Sequence, residues 1–114
     1  MAVGVPLHQV KAELFRTLGH PVRVRVLELL QDGPRAVRDL LTDIDVEPSN
    51  LSQQLAVLRR AGLVISTREG ALVVYMLSTP DVADLLAAGR RILTAVLEDR
   101  DGLREQLRHE GIAR

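Results

Sequence analysis

The hydrophobic positions of the chain fall into helical periods, interrupted once by alternating, β-branched runs. After residues 1–6, expected to form a flexible arm, Leu7, Val10, Leu14, Phe15 and Leu18 follow helical spacing, which predicts a helix over 7–18. Gly19, His20 and Pro21 form a break with a restart, Pro21 suiting a first helical position and His20 a capping or packing role. A second helix over about 21–31 turns Val22, Val26, Leu29 and Leu30 inward and leaves Arg23 and Arg25 more exposed; Asp32, Gly33 and Pro34 end it. A short third helix, about 36–43, points Val37, Leu40, Leu41 and Ile44 inward. From Pro48 to Gly62, Leu51, Leu55 and Leu58 recur at i, i+4 and i+7 as one stripe, with Pro48 placed to start the helix and Gly62 to stop it. The period then changes: residues 63–68 and 72–77 are apolar and β-branched around Glu69, Gly70 and Ala71, a β-hairpin with Gly70 supplying a positive-φ turn position.

Thr79, Pro80 and Asp81 open the last helix as cap, first residue and favourable first-turn charge. Val82, Leu86, Gly89, Leu93 and Val96 then step alternately by four and three, a coiled-coil-like seam in which Gly89 allows close helix approach. Leu85, Ile92 and Leu97 widen the seam beyond what one small core needs. Asp101 and Gly102 are expected to break or fray the helix, leaving 101–114 as a tail. The expected organisation is one domain: helix-turn-helix over 36–62, wing over 63–77, and terminal helices 7–18 and 80–100 that dimerise through Leu7, Val10, Leu14, Val82, Leu86, Gly89, Leu93 and Val96.

A chain of 114 residues suits one domain with a modest core. Phe15 and Tyr75 are its only aromatics, so stacking recognition of single-stranded nucleic acid lacks its platforms. No cysteine is present, which removes disulfides, thiolate metal sites and thiol nucleophiles together. No signal peptide or transmembrane run is read from the sequence, and a cytoplasmic location is expected. Net charge is zero, but residues 1–68 carry nine basic groups against seven acidic, and 69–114 carry six against eight. Every basic residue except Lys11 is arginine, the side chain better suited to bidentate phosphate or base contacts.

The chemistry concentrates on the helix that starts at Pro48. Ser49, Gln53, Ala56 and Arg60 fall opposite its apolar stripe, giving a face that is hydroxyl- and amide-rich at one end and basic at the other. A solvated helix more often carries Glu and Lys at i, i+4. Gln and Asn bond base edges in a bidentate way, Ser reaches base edges or phosphate, and Arg neutralises phosphate. The helix therefore reads as a DNA recognition helix, with Ser49, Asn50, Ser52, Gln53 and Gln54 at its reading end and Arg59, Arg60 and the wing's Arg68 as backbone contacts.

The order of elements, with LGHPVRVRVL at 18–27, SNLSQQLAVLR at 49–59, AGLV at 61–64 and REGALVVY at 68–75, resembles the bacterial ArsR/SmtB family of winged-helix repressors over roughly residues 8–98. The resemblance implies a mainly α fold with a small β-hairpin (winged helix-turn-helix, α-α-α-α-β-β-α), a homodimer, and binding to a double-stranded DNA operator, usually to repress. It implies DNA-reading positions at Pro48, Ser49, Ser52 and Gln53. It also implies a sensor, and here the sequence departs: Ala36 and Arg38 stand at the family's cysteine-type site, while Asp81 is joined only by Ala83, Thr94 and Leu97 at the site on the last helix. One carboxylate is not a metal site. No metal and no cofactor are expected at these positions; His8 and His109 with Glu110, meeting across a dimer, form the one remaining metal candidate, and an unknown small molecule or protein is the other kind of effector. The rival reading is a winged-helix protein-interaction module without DNA binding, which zero net charge and the acidic 43–47 linker favour. No nucleophile elbow, phosphate loop or paired-carboxylate spacing supports an enzyme.

Overall fold

The computed structural model describes residues 4–112; the first half of the expected N-terminal arm and the last two residues of the expected tail lie outside the described residues. Five helices and three short strands follow in the order α1 (Leu7–Leu18), α2 (Pro21–Leu29), β1 (Arg35–Ala36), α3 (Val37–Asp43), α4 (Pro48–Arg60), β2 (Val64–Glu69), β3 (Leu72–Leu77) and α5 (Pro80–Ile112). The core is aliphatic: Val26, Leu27 and Leu30 from α2 and the 3₁₀ turn after it are buried with Leu40 of α3, Ile44 just past its end, and Leu51, Leu55 and Leu58 of α4. Val64, Val74 and the buried Tyr75 close it from the sheet side. Leu27, fully buried, was not among the residues expected to turn inward on the second helix, although Val26 and Leu30 were.

Local chemistry sets the element boundaries. His20 caps α2, its Nδ1 accepting the Val22 amide at 3.2 Å, and Pro21 follows at the first turn. α2 ends two residues earlier than expected, at Leu29, and the chain tightens into a 3₁₀ turn over Leu30–Asp32 before Gly33 turns it at φ +133°. Arg35 and Ala36 then pair with Tyr75 and Val74, so a third strand stands where the third helix was expected to start. The sheet is antiparallel throughout, in the order β1-β3-β2. The hairpin register runs from Val64 opposite Leu77 to Glu69 opposite Leu72. Its loop is the two residues Gly70 and Ala71, with φ +63° at Gly70 and, among the described residues, no positive φ at any non-glycine residue, the type II′ pattern that matches strand twist.

Thr79 Oγ1 accepts the Asp81 amide at 3.3 Å and opens α5. The helix continues to Ile112, so the break expected at Asp101 and Gly102 does not occur. A helical glycine costs only about 1 kcal/mol relative to alanine. Strong helix formers follow it, and Glu105 pairs with Arg108 and His109 one turn on. The compact winged unit ends at Ala83, and Asp84 onward forms a second unit. Among the described residues no helix is long and apolar enough to cross a membrane.

Candidate nucleic-acid interface

α4 buries Leu51, Gln54, Leu55 and Leu58, a stripe at i, i+3, i+4 and i+7, and exposes Ser49, Ser52 and Gln53 on the other side of its first two turns. Arg59 and Arg60 are exposed at its end, and Arg68 is exposed on β2 opposite Val73, one residue from the hairpin end. Among the described residues none of these three arginines forms an ion pair. Their charge is free for an external anion. The arrangement is a helix with hydroxyl and amide groups at its entry, flanked by unpaired guanidinium groups and a two-stranded projection.

Two of the expected contact residues are placed differently. Gln54 is 9% exposed: its Oε1 accepts Arg23 Nε at 2.8 Å, and its Nε2 donates to Asn50 Oδ1 at 2.9 Å. It holds α4 to α2 and does not face outward. Asn50 is half-buried, with its side-chain oxygen engaged in the same chain. Arg23, expected on the more exposed face of its helix, is half-buried and also donates from Nη1 to the Thr17 carbonyl at 2.9 Å. The signal for Gln54 was present, because position 54 lies three after Leu51 and four before Leu58, within the buried stripe.

Arg38 was absent from the expected contacts. Its side chain is 72% exposed, with the Asp39 carboxylate at 3.9 Å, and it lines a cavity of about 410 Å³ together with Ser52 of α4 and Leu72 and Val73 of β3. The acidic linker is partly neutralised: Arg35 holds Asp43 at 2.5 Å, tying β1 to the end of α3.

Of the residues expected at a dimer interface, Leu7 (65%), Val10, Leu93 (62%) and Val96 are exposed, while Leu14, Leu86 and Gly89 are partly covered. Val82 is instead buried, as part of the core of the winged unit. No residue of α1 is buried, and Phe15 is exposed. Ile92, Leu97, Leu103 and Leu107 of α5 are exposed as well. Among the described residues no three His, Cys, Asp or Glu side chains come together in a metal-holding group. His109 lies 3.2 Å from Glu105, one turn back on its own helix; the Glu110 side chain is outside what is described.

Comparison with known proteins places this geometry. Residues 20–66 match the model of the bacterial regulatory proteins of the arsR family. The chain is 51% identical over 109 residues to the HTH-type transcriptional regulator Rv0081 of Mycobacterium tuberculosis, covering 95% of this chain and 96% of that one. The crystal structure of Rv0081 superposes with a TM-score of 0.79 at 53% identity, covering 83% of this chain and 96% of the other. The biofilm growth-associated repressor of Agrobacterium fabrum is 38% identical over 88 residues, covering 77% of this chain and 75% of the repressor. The solution structure of the homodimeric winged helix-turn-helix DNA-binding domain Mb0332 from Mycobacterium bovis, described as a possible ArsR-family transcriptional regulator, superposes with a TM-score of 0.74 at 29% identity, covering 86% of this chain and 95% of the other.

Proposed function

The chain belongs to the bacterial ArsR family of winged-helix transcription regulators, and from that premise we propose that it is a homodimeric repressor that reads a two-fold DNA operator with α4 in the major groove. The observation that carries this reading is the exposed face of α4: Ser49, Ser52 and Gln53 at its entry, and the unpaired Arg59 and Arg60 at its end. Gln53 has both a donor and an acceptor for a base edge, the serines reach base edges or phosphate, and the arginines neutralise backbone charge. Arg68 on the wing and Arg38 beside Ser52 extend the same role to the flanking backbone.

One α4 makes too few base contacts for a unique site, and a two-fold pair reads half-sites about one helical turn apart. The exposed apolar residues Leu7, Val10, Leu93 and Val96 supply the surface for that pairing, with Gly89 where the two α5 helices approach. The homodimeric Mycobacterium bovis domain supports this assembly, and the Agrobacterium fabrum repressor supports the sign of regulation. Occupancy of a promoter excludes polymerase, hence repression, in the cytoplasm where the operator lies. Any inducing signal enters elsewhere than the family's two familiar metal positions, where Ala36 and Arg38 offer no ligand and Ala83, Thr94 and Leu97 leave Asp81 alone.

The test is titration of purified protein against a duplex from its own promoter and a scrambled duplex, over a range of salt, with and without chelator, zinc and nickel. Preference for the promoter, steep salt dependence and indifference to metal are expected. Absence of any salt-dependent duplex binding contradicts the reading and leaves a protein-interaction module.

A further inference from the structure

We propose that the crevice between α2 and α4 is a preorganised seat for a phosphate oxyanion, filled in the operator complex by a backbone phosphate beside the groove that α4 enters. It rests on the DNA-binding reading and adds a contact, Arg23, from a helix outside the recognition unit. The crevice, about 410 Å³, is lined by Arg23, Gln53, Gln54, Ala56, Val57 and Arg60. Two guanidinium groups and an exposed amide line it, and no carboxylate does. Among the described residues neither Arg23 nor Arg60 forms an ion pair. Two like charges facing one crevice without a counter-charge repel each other and attract an anion.

Arg23 differs from a solvated surface cation in how it is held. Nε donates to Gln54 and Nη1 to the Thr17 carbonyl, both neutral acceptors, so the group is fixed without being neutralised. Gln54 is in turn fixed by Asn50. Nη2 has no hydrogen-bond partner among the described residues, and no buried side-chain nitrogen or oxygen lacks one, so Nη2 is the atom left reachable from outside. A guanidinium held at two nitrogens and open at the third spends little conformational entropy when it meets an oxyanion. Gln53, one residue from Gln54 and exposed on the same crevice, ties the seat to the base-reading end of α4.

Gln54→Glu is the most direct test. It keeps the shape of the side chain, sets a carboxylate against Arg23 Nε and cancels one of the seat's two positive charges in place, that of Arg23, with Asn50 turning its amide to donate. Arg23→Gln removes that guanidinium charge outright and leaves Arg60, and if that variant fails to fold, Gln54→Glu decides alone. Each variant is titrated against the promoter and scrambled duplexes over a range of salt. Inorganic phosphate against chloride at equal ionic strength is then read by the melting temperature of the free protein. The expected result is a salt slope shallower by about 0.9 on both duplexes, the loss of one phosphate contact, with the preference for the promoter unchanged. A wild-type slope in Gln54→Glu overturns the backbone assignment. If phosphate also raises the melting temperature of wild type and not of Gln54→Glu, while the slopes stay equal, the seat belongs to a free oxyanion. Equal slopes with no phosphate effect overturn the seat itself. Failure of wild type to bind either duplex counts against the regulator reading instead, and the melting experiment still reads the crevice.

Discussion

Gln53 and Gln54 are chemically identical neighbours with opposite surroundings, and replacing each by alanine separates reading from holding. Gln54 accepts one hydrogen bond from a guanidinium and donates one to a neutral amide. Bonds to charged groups contribute about 1.5–3 kcal/mol and neutral ones about 0.5–1.5 kcal/mol. Arg23 and Asn50 are both half-buried, so water recovers part of what Gln54→Ala removes. The net loss of folding stability is about 2–3 kcal/mol, a large share of the roughly 5–15 kcal/mol that holds a small domain together. With a urea slope of about 2 kcal/mol per molar, the midpoint falls by about 1 M or slightly more. Gln53→Ala, fully on the surface, stays within about 0.5 kcal/mol of wild type in stability. It loses about 1–3 kcal/mol of binding to the promoter duplex while binding to scrambled DNA is unchanged. Urea unfolding followed by helical circular dichroism, at one protein concentration because a dimer's midpoint depends on it, is paired with fluorescence anisotropy on both duplexes. If Gln54→Ala unfolds at the wild-type midpoint, the Arg23–Gln54–Asn50 chain holds nothing. If Gln53→Ala keeps its promoter preference, α4 does not read bases through that residue.

Three further outcomes follow from other parts of the structure. Leu58→Ala, at a fully buried position of α4, costs about 2–5 kcal/mol of stability and is read in the same urea experiment. Gly70→Val puts a β-branched residue at φ +63° in a two-residue hairpin loop; with about 1–2 kcal/mol of backbone strain it lowers the melting temperature, and it weakens DNA binding wherever the wing contributes. Leu93→Glu sets a charge on the exposed apolar face of α5; sedimentation is expected to show monomer, with promoter affinity falling because one half-site is then read alone, whereas an unchanged dimer would remove α5 from the interface.

The helices, the hairpin and the winged order were legible because their determinants are local: apolar period, proline at helix starts, and glycine where φ must be positive. The aliphatic stripe of α4 and the hairpin strands appear within a residue of where the pattern put them. What escaped depends on contacts between segments distant in sequence. β1 is two residues long and exists only because β3 offers it an edge. Arg23 and Gln54 are 31 positions apart, and each alone looks like a solvated polar residue. The apolar stripe already claimed position 54, but the chemistry of an amide drew it to the opposite face. The expected break at Gly102 gave a local rule more weight than the helix formers and the Glu105–Arg108 ion pair that follow it. On the surface, Ser49, Ser52, Gln53, Arg59, Arg60 and Arg68 are exposed while Asn50 and Gln54 are not, and Arg38 becomes a candidate only once the fold brings α3 beside Ser52.

The central claim is tested most directly by footprinting the protein on its own promoter with hydroxyl radicals and guanine-methylation interference. The account predicts two protected half-sites about one helical turn apart, with interference in the major groove of each and relief of that interference pattern in Gln53→Ala. A promoter left uniformly open, or protection confined to a single minor-groove patch unaffected by Gln53→Ala, would contradict it.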